Sequence, residues 1–107
     1  MSEEVYRGEA KVLNYTVTDD DGTAIDLTDK EVYYTVRPEL PSFTDTETFE
    51  LTGTNKDSNG NVKFNLSSTE TDKNPKLYFA EVWVEYPGGE EYSAEIDRLF
   101  IRKRVSK

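Results

Sequence analysis

The stretch Tyr15-Thr16-Val17-Thr18-Asp19-Asp20-Asp21-Gly22-Thr23-Ala24-Ile25-Asp26-Leu27-Thr28, followed at once by Glu31-Val32-Tyr33-Tyr34-Thr35-Val36-Arg37, decides the fold class. From Lys11 to Thr18 the chain alternates, with Leu13, Tyr15 and Val17 on one face and Val12, Asn14 and Thr16 on the other. Period-two alternation marks a half-buried strand. Asp19 to Gly22 reads as a turn, because aspartates bond their own backbone and glycine supplies positive φ. Ile25 and Leu27 suit a short strand or a loop that caps one end of a sandwich. The second strand, Glu31 to Arg37, sends Val32, Tyr34 and Val36 inward and Tyr33, Thr35 and Arg37 outward. The opening is therefore all-β.

The remainder of the chain continues in the same style. Val5-Tyr6 suits a short edge strand. Pro38 and Pro41 stop the strand before them, since proline cannot donate to a ladder, and a polar loop runs to about Asp45. Thr48 to Thr52 puts Phe49 and Leu51 on one face. Asn55 to Gly60 is a turn, and Asn61 to Ser67 then turns Val62, Phe64 and Leu66 inward. Ser68 to Lys76 is polar, with room for one helical turn capped by Thr69 and Asp72. Leu77 to Tyr86 is the strongest strand: Tyr78, Ala80, Val82, Val84 and Tyr86 share one face, Phe79, Glu81, Trp83 and Glu85 the other. Pro87-Gly88-Gly89 is a hairpin turn. In the last strand, Glu90 to about Lys103, Tyr92, Ala94 and Ile96 share one phase and Leu99 and Ile101 the opposite one. That change implies a bulge at Asp97-Arg98. About seven strands with short turns and no convincing helix predict an immunoglobulin-like antiparallel β-sandwich. A small barrel is the alternative. Tyr78 stands where a tyrosine corner would pin the crossing between sheets.

Bulk properties bound the function. The 107 residues suffice for one domain, 1–107, and a chain of this length buries about two-thirds of its accessible surface on folding. There is no cysteine and no histidine, which removes thiol chemistry, the commonest general base and the commonest transition-metal ligand. The net charge is −9 from 22 acidic and 13 basic residues. Five of the basic residues (Arg98, Arg102, Lys103, Arg104, Lys107) fall in the last ten positions without an acid, leaving a balance of −14 elsewhere. An acidic body repels nucleic acid and anionic membranes; the basic end suits pairing with acids on an adjacent strand. No apolar run approaches the ~18 residues of a membrane helix. Met1-Ser2-Glu3-Glu4 lacks the apolar core of a signal peptide, and nothing directs the chain to secretion.

Four stretches together resemble the immunoglobulin-like N-terminal domain of phage baseplate upper proteins. They are Arg7-Gly8 before the first alternating strand, the block Thr18 to Thr28, the run Gly60-Asn61-Val62-Lys63-Phe64-Asn65-Leu66, and Pro75-Lys76-Leu77-Tyr78-Phe79-Ala80-Glu81-Val82. Their order spans almost the whole chain. Lys76-Leu77 stands where that family usually has a glycine before the tyrosine, and Asp97 where a glycine often precedes the final strand. The resemblance implies a structural module of a phage or prophage tail, located in the virion and made in the bacterial host cytoplasm. Its partners would be other tail or baseplate proteins, with room for a homo-oligomer. It implies no cofactor and no reaction.

Candidate sites are few. Alternate aspartates of the Asp19-Asp20-Asp21 turn, and Asn55 to Gly60, have oxygen ligands of the kind calcium takes. The second run lacks the acidic residue at its twelfth place, which is Leu66. Turn chemistry explains both, so no metal ligand is assigned. No nucleophile motif, phosphate loop or pair of carboxylates suited to acid–base work is present, so no enzyme is expected. The outward positions Tyr33, Arg37, Phe79 and Trp83 form a candidate protein interface, because aromatic and Arg residues are favoured at interface cores. The rival uses of this face are a carbohydrate platform and simple cross-strand packing with Arg37 stacked on Trp83. A calcium-stabilised adhesion domain is the further alternative.

Overall fold

The computed structural model describes residues 2–38 and 49–103. Seven strands follow one another: β1 (Ser2–Tyr6), β2 (Lys11–Thr16), β3 (Glu31–Pro38), β4 (Phe49–Thr52), β5 (Asn61–Leu66), β6 (Lys76–Glu85) and β7 (Glu91–Arg102). They form a five-stranded sheet in the order β1-β7-β6-β3-β4 and a two-stranded sheet of β2 and β5. The neighbours β3, β6 and β7 on one sheet and β2 and β5 on the other correspond to strands C, F, G and B, E of the immunoglobulin sandwich. All pairs are antiparallel except β1 with β7, which is parallel. Expectations for Thr48, Pro41, the loop to Asp45, and Arg104 and Lys107 fall outside the described residues.

The core is what the alternation dictates. Leu13, Tyr15 and Val17 meet Val62, Phe64 and Leu66 on the small sheet, and these face Val32, Tyr34, Val36, Tyr78, Val82, Val84, Leu99 and Ile101. β3 extends one residue past its expected end, so that Pro38 pairs with Tyr78. A proline, which lacks the N–H of a ladder, is tolerated at the end of a strand. Leu27 is fully buried and its N–H donates to Asp57 O at 3.0 Å, closing one end of the sandwich. The Tyr78 hydroxyl donates to Asn74 O at 2.8 Å, which is the expected corner.

Two local expectations are corrected. The turn after β5 is capped by Ser67 and Glu70, not by Thr69 and Asp72. Ser67 N–H donates to Glu70 Oε1 at 2.9 Å, and Glu70 N–H donates to Ser67 Oγ at 3.2 Å, the reciprocal pattern of a capping box. The bulge lies earlier than Asp97-Arg98. Val82 pairs with Glu95 but Trp83 pairs with Ser93, so Ala94 is the extra residue. The inward set on β7 is then Tyr92 and Ala94 before the bulge and Glu95, Asp97, Leu99 and Ile101 after it. Two acids at inward positions conceal the shift from any count of apolar residues. Ile96 is consequently outward and 70% exposed, while Asp97 is 1% exposed.

Asp97 is held inside by Tyr15, whose hydroxyl donates to Asp97 Oδ2 at 2.8 Å. Asp97 Oδ1 accepts from Arg98 N–H at 2.8 Å. Burial, with Tyr34 and Asp97 beside it, pushes the Tyr15 phenol far up. Glu95 lies half-buried on the same inward side, and its carboxyl is raised by burial first and by the Asp97 and Glu3 charges next.

The chain crosses between sheets at Gly53. Its N–H donates to Val32 O at 2.7 Å on the large sheet, and Thr54 then bridges Lys63 on the small one. A Cβ at Gly53 would meet Val62 Cγ2 at 2.5 Å and Val32 O at 3.1 Å. Gly60, at φ 82°, closes against Val17 O in the same corner.

Three outcomes follow from this interior. Gly53→Ala overpacks the crossing and lowers stability by about 1–3 kcal/mol, read from the urea midpoint. Tyr15→Phe leaves Asp97 short of a donor and costs about 1–3 kcal/mol by the same measurement. A raised carboxyl favours the folded state as pH falls. Stability therefore gains from Glu95 as pH drops through its elevated folded value towards the ordinary glutamate range, and Glu95→Gln flattens that part of the profile. A melting series against pH in which the variant gains as much as the parent on acidification would contradict this.

Candidate functional site on the outer face of the large sheet

Alternation on three paired strands builds the site. The register brings Tyr33 opposite Trp83 and Arg37 opposite Phe79 across β3 and β6, and Phe79 opposite Arg98 across β6 and β7. All four residues selected from the sequence lie on this outer face. The Tyr33 and Trp83 rings stack at 4.5 Å between centroids with 28° between planes. Arg37 does not cover Trp83 as the packing alternative supposed. It lies opposite Phe79, four residues along β3 from Tyr33, which is the residue placed directly opposite Trp83.

Polar contacts fix the face. The Trp83 indole N–H donates to Thr35 Oγ1 at 2.9 Å, and Thr35 Oγ1 donates to Glu50 Oε2 at 2.9 Å. Ser93 Oγ donates to Glu81 Oε2 at 2.8 Å. These bonds run from β7 to β4 and hold the side chains around a shallow depression of about 580 Å³, walled by Arg37, Phe79, Glu81, Trp83, Glu91 and Ile96. Phe79 is 36% exposed and Ile96 70%.

Sequence reasoning missed three features here. Ile96 joins the face only because of the bulge at Ala94. Glu31, Glu85 and Glu91 form one cross-strand row beside Trp83. Arg98 with Arg37 flanks Phe79 two rows beyond Trp83. The acids were legible individually, but their alignment depends on register. Glu31 lies 3.6 Å from Lys56 Nζ; among the described residues neither Glu85 nor Glu91 has an ion-pair partner.

The candidate calcium loops are occupied by their own backbone. Asp19 Oδ1 accepts from Asp21 and Thr23 N–H at 2.9 and 3.0 Å. Asp57 Oδ1 accepts from Asn59 and Asn61 N–H, each at 2.9 Å. Bonds from the Asn61 side chain and then its backbone hold the Asp57 carboxyl below its usual range. Among the described residues no three carboxylates converge as an ion would require. At the basic end, Arg102 pairs with Glu4 of β1 at 3.2 Å, the adjacent-strand contact expected of that segment.

The strand order, the sheet crossing at Gly53 and the tyrosine corner define a two-sheet sandwich of immunoglobulin-like order. A solved structure that it is similar to is the N-terminal domain of phage TP901-1 ORF48, with a TM-score of 0.68 and 12% sequence identity, covering 96% of this chain and 86% of that one. The likeness establishes the fold, and it agrees with the family resemblance carried by the four sequence motifs. No model of a protein family matches the chain, and no curated protein matches it by sequence.

Trp83→Ala removes the stack and the indole bond from a half-exposed position, while the core beneath remains. The variant is expected to keep its strand-rich circular dichroism and to lose about 1–2 kcal/mol in a urea titration. Global unfolding would place Trp83 in the core instead.

Proposed function

We propose that the chain is a non-catalytic structural module of a phage tail assembly of the baseplate type, which docks other tail proteins on the outer face of its five-stranded sheet. The observation that carries this reading is the fold likeness to a phage protein domain along 96% of the chain, in accord with motifs that run through the same length. The module would reside in the virion tail after synthesis in the host cytoplasm. Tyr33, Arg37, Phe79 and Trp83 are the docking residues. Tyr33 and Trp83 form a rigid aromatic pair that loses little rotamer freedom on contact, Phe79 and Ile96 offer apolar area, and Arg37 supplies a directed donor. The two-sheet scaffold contributes stiffness, so the face is presented without reorganisation.

A carbohydrate platform would use the same residues. One face of the indole is already covered by Tyr33 at 4.5 Å, and five glutamates surround the pair, which favours a protein partner over a neutral sugar. The two uses separate in one titration, because Trp83 is the only tryptophan and its emission reports on the face directly.

Co-expression with the proteins encoded beside it tests the proposal. The wild-type chain is expected to co-elute with a tail component on size exclusion. Trp83→Ala and Phe79→Ala are expected to weaken that complex on the order of tenfold or more, as for hot-spot residues, with melting temperatures that remain cooperative. Glycosidase or adhesin genes as neighbours, or a sugar that shifts Trp83 emission while both variants still co-elute, would overturn it.

A further inference from the structure

The outer face is electrically lopsided. Glu31, Glu85 and Glu91 stand directly opposite one another on three strands, and Glu50 and Glu81 lie two rows further in, beyond the Tyr33–Trp83 row and beside Thr35. Like charges directly opposite on a sheet face repel, and among the described residues only Lys56, against Glu31, forms an ion pair with this row. The acids edge the Trp83–Tyr33 stack, whose ring faces attract cations. Such a face calls for positive charge from outside.

The chain itself carries that charge at its other end. Arg102 is engaged with Glu4, but Lys103 is exposed and makes no ion pair among the described residues. Arg104 and Lys107 follow it without an intervening acid. This segment cannot reach its own acidic row. Trp83 pairs with Ser93, nine positions before Arg102 on β7, and at the strand rise the separation is about 30 Å. The five residues from Arg102 to Lys107 span at most about 18 Å even when fully extended in the right direction. An intramolecular contact with the Glu85–Glu91 row is excluded by length; only Glu81, opposite Ile96 and six positions before Arg102, lies near enough for an extended side chain.

We infer that the occupant is a second copy of this chain: the basic segment Lys103 to Lys107 of one molecule lies against the Glu85–Glu91–Trp83 face of the next. The inference rests on the docking role proposed above for this face and names one of its partners. The two contacting surfaces differ, so the contact is heterologous and propagates head to tail, closing into a ring or running on as a chain according to the rotation between copies. Because exposed ion pairs carry it, the contact weakens with salt.

Sedimentation of the 107-residue chain tests this. The wild type is expected to show a mass above the monomer that rises with concentration and falls back at ~0.5 M salt. Replacing the cations (Lys103→Ala, Arg104→Ala and Lys107→Ala together) and neutralising the face (Glu85→Gln with Glu91→Gln) should each give a monomer. Mixing the two variants should restore one face–tail contact and stop at a dimer, since neither component can extend it. In parallel, a peptide of residues 102–107 should shift Trp83 emission of the cation-free variant, with on the order of tenfold weaker binding after Glu85→Gln and Glu91→Gln. A wild type that stays monomeric at every concentration overturns the inference, as does self-association that survives either set of substitutions. Neither result touches the docking proposal, which fails separately if Trp83→Ala and Phe79→Ala leave the complex with tail components intact.

Discussion

Tyr15 joins the two sheets, and the remainder of the architecture depends on that junction. Its ring lies 5.8 Å from Tyr34 and 5.9 Å from Phe64, and those two lie 5.3 Å from each other. Three large rings from β2, β3 and β5 thus fill the space where a two-stranded sheet must cover a five-stranded one. The hydroxyl then reaches Asp97 on β7, so one side chain contributes both apolar contact and a directed polar bond across the interface. A sheet of only two strands has little area with which to hold itself down. Aromatic rings supply more buried surface per residue than aliphatic ones, which is why tyrosine and phenylalanine occupy these positions.

The same junction explains why the candidate face lies where it does. With the small sheet and Leu27 covering the inner side of β3, β6 and β7, every residue of opposite parity is left on the outside. The central strand, β6, is the longest uninterrupted alternator and lies between β3 and β7. Its outward residues Phe79, Glu81, Trp83 and Glu85 are therefore flanked on both sides, by Arg37, Thr35, Tyr33 and Glu31 from β3 and by Arg98, Ile96, Ser93 and Glu91 from β7. A face assembled from paired strands is rigid, as a surface that docks without rearrangement needs to be. It is also graded in charge, arginines around Phe79 and glutamates beyond Trp83, which gives any contact a direction.

Much of this was legible in the chain. The outward placement of Tyr33, Arg37, Phe79 and Trp83 follows from parity alone, and so does the inward run Val32, Tyr34, Val36. The misplacement of the bulge has an equally definite cause. Counting apolar residues along β7 groups Ile96 with Tyr92 and Ala94, because the residues that mark the true shift, Glu95 and Asp97, are acids at buried positions. Their burial becomes intelligible only when Tyr15 is seen across the gap. The cap at Ser67 and Glu70 was equally visible as a spacing, but Thr69 and Asp72 share that spacing, and local sequence does not choose between two overlapping boxes.

What the sequence determined by itself was the set of local alternatives: strands where side chains alternate, turns where Asp, Asn and Gly can bond or bend their own backbone, and an acidic body with a basic end. These depend on interactions over a few residues, and they are written in a few residues. Tertiary structure decided which strands are neighbours and in what register. It is register that stacks Tyr33 on Trp83, aligns Glu31 with Glu85 and Glu91, turns Ile96 out and draws Asp97 in. Those outcomes come from pairings between positions tens of residues apart, where a shift of one residue reverses every side chain, and no local pattern carries that information.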